Sequence, residues 1–455
     1  MTDDDRGRML EAIGVESVDE LFEDVPAAVR LDAPLKLPDG MPESEVYDRL
    51  AALAERNVHA EAETSFLGAG MYDHYVPAIV DAITGRSEVL TPYTPYQPEI
   101  SQGGLQAMFE FQTAMSELTG LPVSNAALYE GPSSVASAAY LAMGATGRRK
   151  FVASRGLHPH SRESLVTYGA GYGSELVETP LEGGRTDGAK LAEAIDDGTA
   201  AVFLQQPNFL GGVEDVEALS EAAKAKGALL VVACDPIALS VLRPPGDCGA
   251  DVAVGEGQPL GNRLDYGGPS FGFFCATEEH IRRMPGRIAG ETTDVDGRRG
   301  FVLTLQTREQ HIRREKATHN ICTAQALNAL AGIIHLSWLG KRGFVELGEL
   351  LVRRTAYARD TLAALEGIEL LHEAPVVREF AVRLEAPVDR VLERCAAEGI
   401  GAGYPLGRDY PEYGDGLLVA LSERRSRADI DRLAEVLGGA VKELRGQRVA
   451  EGVAS

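Results

Sequence analysis

Between residues 150 and 257 four short, almost wholly apolar runs alternate with amphipathic stretches, and few folds accept that arrangement. "KFVASR" (150–155), "AAVFLQQ" (200–206), "ALLVVACD" (228–235) and "DVAVGEG" (251–257) each read as a strand buried on both faces. "GAKLAEAIDD" and "EDVEALSEAAKAKG" between them read as crossover helices, the second closed by Gly227 just past its end. Strands alternating with helices predict an α/β domain with a mainly parallel sheet. Ligands of such sheets sit at the carboxyl ends of the strands. Gln205, Gln206 and Asn208, then Asp235, then Glu256 and Gln258 all fall at such ends and point to one crevice.

Outside that block the pattern changes. Residues 1–85 read as a mostly helical, polar N-terminal segment, with Ser17 and Glu20 spaced as a capping box. Residues 86–330 hold the large α/β domain. Residues 331–455 read as a smaller α+β domain, entered by a long helix from about 332 and ending in a frayed tail over 446–455. At 455 residues the chain is long enough for two or three packed units.

Several function classes are disfavoured at once. No run approaches 18 consecutive apolar residues, so no membrane span is expected, and the acidic N-terminus lacks the apolar stretch of a secretory signal. The five cysteines are scattered without a C-x-x-C pair, which argues for reduced cytoplasmic thiols and against zinc. A net charge of −24 would repel the backbone of a nucleic acid. Of the 44 basic residues only eight are lysine; an acidic, lysine-poor surface suits a cytosol rich in salt, or an acidic enzyme from a GC-rich genome.

Candidate sites follow from local chemistry, each with a plainer reading beside it. Ser133 and Ser134 open a small-residue helix after Gly131-Pro132, as an anion seat or as simple caps. His158 follows a strand and could stack on a flat ring, or lie on the surface. Asp235 ends a buried strand and could keep a ring nitrogen protonated, or start an Asp-Pro turn. "SFLGAGMYDHYVPAIV" (65–80) sets Tyr72, Asp73 and His74 after a glycine turn, without a serine or cysteine spaced to use the Asp–His neighbours. "LTPYTPYQPEISQGGLQAMFEFQ" (90–112) carries Tyr93, Tyr96, Gln97, Glu99, Ser101 and Gln102 on a segment stiffened by Pro92, Pro95 and Pro98. That build gives a rigid binding surface, or an arm packed for structural reasons. "GEGQPLG" (255–261) lacks the G-K-[ST] of a phosphate-binding loop.

Together, "SFLGAGMYDHYVPA", "TPYTPYQPEISQGGLQAMFEFQ", "NAALYEGPSS", "SRGLHPHSRE", "QQPNFLGGVED" and "VGEGQPLG…GGPSFGFF" resemble the P-protein of the glycine cleavage system, most closely its alpha-chain branch, over about residues 10–445. The resemblance implies an aspartate-aminotransferase-like fold, that of fold type I pyridoxal-phosphate enzymes. It implies glycine decarboxylation with transfer of the aminomethyl group to the lipoyl arm of the H-protein. It also implies a beta subunit as partner, paired as α2β2. In that partner a lysine holds pyridoxal phosphate ahead of a Gly-Pro turn; set against Gly267-Gly268-Pro269, Gln258 stands at or near the lysine's place. No lysine lies between Lys226 and Lys316, and glutamine forms no Schiff base. His158, Asp235, Gln258, Ser133 and Ser134 are thus expected to be a degenerate cofactor site. The resemblance gives Tyr93, Tyr96 and Glu99 as catalytic residues lent to the partner's pocket, with Gln97, Ser101, Gln102, Tyr72 and His74 binding substrate. Two rivals remain: a self-sufficient enzyme using Lys316 or Lys226, and a scaffold that never touches substrate.

Overall fold

A computed structural model of the chain describes residues 1–31, 33–268 and 270–453, so Pro269 of the Gly-Gly-Pro turn and the last two residues of the expected frayed tail lie outside the described residues. Two compact units divide at Val58 and His59. In the first, helix Asp3–Ile13 starts from a reciprocal cap: Thr2 Oγ1 accepts from the Asp5 amide (3.2 Å) while the Thr2 amide donates to the Asp5 carboxylate (2.9 Å). The Ser17–Glu20 spacing closes a similar box around the short turn Asp19–Phe22, with the Glu20 amide donating to Ser17 Oγ and the Glu16 amide to the Glu20 carboxylate. A single turn, Ala27–Val29, and helix Glu43–Ala54 follow in this unit.

The second unit is built on a seven-stranded sheet. In chain order its strands are Val123–Ser124 (β1), Lys150–Ser154 (β2), Glu175–Thr179 (β3), Thr199–Gln206 (β4), Leu229–Cys234 (β5), Val252–Glu256 (β6) and Gly272–Ala276 (β7); in space they run β1-β7-β6-β5-β4-β2-β3. Strands β2 to β6 pair in parallel, and β7 runs antiparallel to both β6 and β1. Side chains alternate across the sheet as a two-residue period demands. Phe151, Ala153, Ala201 and Phe203 pack in one layer with Leu141 and Leu165, whereas Val152, Val202 and Leu204 face the other with Leu191 and Leu219. Both faces are therefore covered, which is why the four runs look continuously apolar rather than alternating.

A hairpin, Ile288–Thr293 with Arg299–Thr304, packs Ala289, Phe301 and Leu303 on Leu105 and Met108 of helix Gln102–Thr119. Helix Ala326–Ala363 then runs for 38 residues, interrupted at Gly340, whose φ of 61° leaves the helical range. Beyond it a four-stranded antiparallel sheet, with Ile368–Leu370, Glu379–Leu384, Gly416–Ala420 and Tyr404–Pro405 as neighbours in that order, packs with helices Val388–Ala397 and Arg427–Val453 around its own apolar cluster. The helical backbone reaches Val453, past the point where a frayed tail is expected.

Candidate functional site

The carboxyl ends of β2, β4, β5 and β6 do converge. The His158 amide donates to Gln205 Oε1 (2.8 Å), and the Asp235 amide to the Gln206 carbonyl (3.2 Å). What fills this crevice is another part of the same chain. Residues 65–75 run between the two sheets as a strap: the Phe66 amide donates to Gly401, and the Phe66 carbonyl accepts from Ala420. Gly68 and Gly70 let this strap lie close. A Cβ on Gly68 would meet Glu379 Oε1 at 2.3 Å, and one on Gly70 (φ +99°) would meet His158 Nε2 at 3.1 Å.

Each candidate cofactor position is engaged by the chain itself. Gln258, 1% exposed, accepts from the Tyr72 amide (2.9 Å) and donates to the Tyr72 carbonyl (3.0 Å) and to the Asn262 carbonyl (2.9 Å). A planar amide can donate and accept on one residue's backbone at once; an ammonium cannot. Asp235 receives both arms of Arg378 (2.6 and 2.7 Å) and also accepts from the Ile237 amide (3.0 Å), so the Asp-Pro turn exists beside the buried ion pair. Arg378 in turn stacks 3.3 Å from the centre of the Tyr72 ring. The Tyr72 hydroxyl donates to Glu379 (2.5 Å), whose other oxygen accepts from the Ala69 amide (2.8 Å). Burial, then the Glu379 charge, raises the Tyr72 hydroxyl far above its usual range.

His158 Nδ1 accepts from the His160 amide (3.1 Å), so Nε2 carries the proton and donates to the Ala69 carbonyl (2.9 Å). Burial holds this imidazole down at about 4. At helix Gly131–Thr146 the free amides already face carboxylates: Glu130 accepts from Ser133 (3.0 Å) and Glu256 from Gly131 (3.0 Å). The Ser133 and Ser134 hydroxyls turn back to the Glu130 carbonyl (3.1 and 2.8 Å). Burial pushes Glu256 upward against its hydrogen bonds from Ser270, Gly131 and Gln258.

Pyridoxal phosphate does not fit this arrangement. Its phosphate would meet two carboxylates, its ring nitrogen would compete with a bidentate guanidinium, its ring face would meet the Gly68–Gly70 backbone, and no amine awaits its aldehyde. Neither rival lysine mends this. Lys226 lies before β5, at the amino end of the sheet, with Nζ 3.6 Å from Asp197, and Lys316 is exposed on a short turn.

The tyrosine-bearing segment makes a different place. Tyr93 is 98% exposed, Ile100 is 80% exposed, and Gln97 and Glu99 also face outward. Tyr96 is anchored: its hydroxyl donates to Glu309 (2.9 Å) and accepts from Arg287 (3.4 Å), whose guanidinium lies 4.8 Å from the ring centre. Burial and then Glu309 raise its hydroxyl. Ser101 lines a cavity of about 650 Å³ with both tyrosines. Gln102 pairs its amide with the Phe301 backbone in both directions (2.8 and 2.9 Å), docking the hairpin. His74 is buried away from this segment, its Nδ1 on the Tyr72 carbonyl and its ring 5.7 Å from His335; burial lowers it to about 4. Asp73 is held by Arg424 and Arg425. Among the described residues no hydrogen bond, ion pair or ring contact joins Tyr72 or His74 to Tyr96. Glu256 stands at the strand end where the sequence places the crevice; Arg378, Glu379, Glu130, Arg287 and Glu309 share this work and, as single charged residues in ordinary contexts, carry no local sequence signal.

Residues 1–437 match the family described as "Glycine cleavage system P-protein". A Carboxydothermus hydrogenoformans protein named "Probable glycine dehydrogenase (decarboxylating) subunit 1" is 50% identical, covering 96% of this chain and 98% of its own. A crystal structure of glycine decarboxylase (P-protein) of the glycine cleavage system, in inhibitor-bound form, superposes with a TM-score of 0.89 at 41% identity, covering 97% of this chain and 99% of that one. A Burkholderia pseudomallei sphingosine-1-phosphate lyase superposes at 0.67 with 15% identity over 94% and 98% of the two chains, a likeness of fold alone. The architecture is thus that of the fold type I pyridoxal-phosphate enzymes.

Proposed function

The chain belongs to the glycine cleavage system P-protein family, and on that premise we propose that it is the alpha subunit of a two-subunit glycine decarboxylase. The relatives' name, subunit 1, implies a second subunit. With that beta subunit the pair decarboxylates glycine and passes the aminomethyl group to the lipoyl arm of the H-protein. Pyridoxal phosphate, the electron sink of this chemistry, is carried by the beta subunit, and no step runs through the crevice of this chain. Assembly is α2β2, in the cytoplasm; no helix among the described residues is long and apolar enough to cross a membrane.

The observation that carries this reading is the contrast between a crevice filled from within and a tyrosine segment turned outward, with Tyr93 98% exposed. Three prolines restrict that segment, so little entropy is lost when a partner covers it. In the partner's pocket Tyr93, Tyr96 and Glu99 contact the reacting glycine, and Gln97 and Ser101 orient it. Gln102, Tyr72 and His74 hold the supporting structure. Tyrosine rings exclude water from a carboxylate that must lose its charge on leaving as carbon dioxide, which favours the dispersed transition state.

Co-expression tests the assignment. The chain with its beta partner should catalyse glycine–bicarbonate exchange when lipoyl protein is added, and the chain alone should not. Exchange by the chain alone, or an internal-aldimine band fixed by borohydride, overturns the assignment. In the assembled pair Tyr96→Phe and Glu99→Gln should each lower exchange about tenfold or more, the scale of removing one hydrogen bond from a transition state. Unchanged turnover with intact assembly favours the scaffold instead.

A further inference from the structure

The cavity beside Tyr96 has a charge imbalance. Arg287 lines it at 9% exposure; Arg308, 4% exposed, donates to the carbonyl of Gly286, the residue before Arg287 (3.0 Å). The Nε of each is buried without a partner. Arg287 Nη2 reaches only neutral acceptors, the Cys322 carbonyl (2.8 Å) and the Tyr96 hydroxyl (3.4 Å), and Arg308 reaches the carbonyls of Met284 and Gly286. Among the described residues neither guanidinium forms an ion pair. Glu309, 3% exposed, is engaged by the Tyr96 hydroxyl (2.9 Å) and lies 3.4 Å from His311 Nδ1. Glu88, the carboxylate among the cavity's lining residues, is exposed and held by Arg86 (2.5 Å), so the buried charge on Arg287 is left without a carboxylate partner, an excess of one positive charge. A buried cation without a counter-charge is expensive, and proteins ordinarily pair it. Around Arg287 the walls are chiefly apolar: Ile100, Met108, Phe111, Leu327 and Leu330.

We propose that this cavity binds a monocarboxylate carrying an apolar chain or ring, with the carboxylate on Arg287 and the apolar body along the wall from Ile100 to Leu330. A monoanion matches the excess of one charge, whereas a dianion would be repelled by Glu309. Glycine is a poor occupant: its ammonium would approach a guanidinium and it has no body to cover the walls. The cavity borders the glycine pocket proposed above and shares Tyr93, Tyr96 and Ser101 with it. Occupancy sets the position of Tyr96 and, through it, of the segment assigned to the partner's pocket. That last link rests on the decarboxylase assignment; the binding itself does not.

The purified full-length chain, without partner or turnover, provides the test, with octanoate as probe and octanamide, glycine and inorganic phosphate as comparisons. Calorimetry should give saturable octanoate binding, about tenfold or more tighter than octanamide, the worth of one charge-assisted hydrogen bond. Glycine and phosphate should not compete. Octanoate should also slow maleimide labelling of Cys322, an exposed free thiol on the cavity wall, as read by peptide mass spectrometry. Arg287→Met should lower octanoate affinity by about tenfold, and Arg287→Lys by less. Equal binding of acid and amide, no octanoate binding, or binding that leaves Cys322 unprotected each overturns the proposal. Should Arg287→Met fail to fold, the acid–amide ratio and Cys322 protection decide on the native chain. Because no step requires catalysis, failure here is separable from failure of the decarboxylase assignment.

Discussion

His158 is committed to the neutral state by its own bonds: Nδ1 accepts from a helix amide and Nε2 donates to the strap, so a second proton would break the cap. Its folded pKa, about 4, lies below the 6.5 of a free imidazole. From pH 6.5 down to 4 the unfolded chain therefore binds the proton that the folded one refuses, and stability is lost as pH falls. Against His158→Gln, the native chain should lose about 3 kcal/mol of relative stability across that window, measured by denaturant titration at each pH. Parallel curves for the two proteins would refute the assignment of the neutral tautomer. Gln258 shows why such roles escape a sequence: the residue it clamps is 186 positions away, and Arg378 and Asp235 are 143 apart. The absence of lysine shows that no Schiff base forms at 258; the clamp on Tyr72 becomes visible only with the fold. Gln258→Lys should give no aldimine absorbance with added pyridoxal phosphate and should destabilise by about 2–3 kcal/mol, because the Tyr72 amide is left without an acceptor inside the core.

Buried parallel strands were the most legible elements, since both faces are covered and the runs stand out against amphipathic helices. The strap over 65–75 was legible as a glycine turn with aromatics but not as a strap, because its hydrogen bonds reach residues as distant as His158, Gln258, Glu379 and Ser422. Two-residue strands such as Thr64–Ser65 with Ile400–Gly401 are defined wholly by such distant pairing. Gly70→Ala tests the strap: a φ of +99° and a Cβ 3.1 Å from His158 Nε2 should together cost about 1–3 kcal/mol, read as a lower unfolding midpoint. The hairpin offers a second test, of Gln102. Gln102→Ala should speed exchange of the Phe301 amide about tenfold, the worth of the hydrogen bonds it removes. A fall in turnover with that amide still protected would instead make Gln102 a substrate-binding residue.

At the scale of the whole molecule, a charge of −24 sets the conditions under which the chain is compact. Like charges over such a surface repel, and salt shortens their reach from about 10 Å at 0.1 M to about 3 Å at 1 M. The unfolding temperature should therefore rise by several degrees between low and molar potassium chloride; a flat or falling profile would show that carboxylate repulsion does not limit stability. That prediction was legible from composition alone, whereas the charge excess around Arg287 has no trace in it. The carboxylates at the start of helix Gly131–Thr146 have a consequence on another timescale. Four separate parts of the chain hold the four seats a cofactor would need: Glu130 with Glu256, Arg378, the strap, and Gln258. Any one replacement made toward cofactor binding exposes a buried charge or an unmet amide before it recovers anything. Mutational return would have to cross several destabilised intermediates together, so the arrangement acts as a ratchet against regaining a cofactor site in this chain.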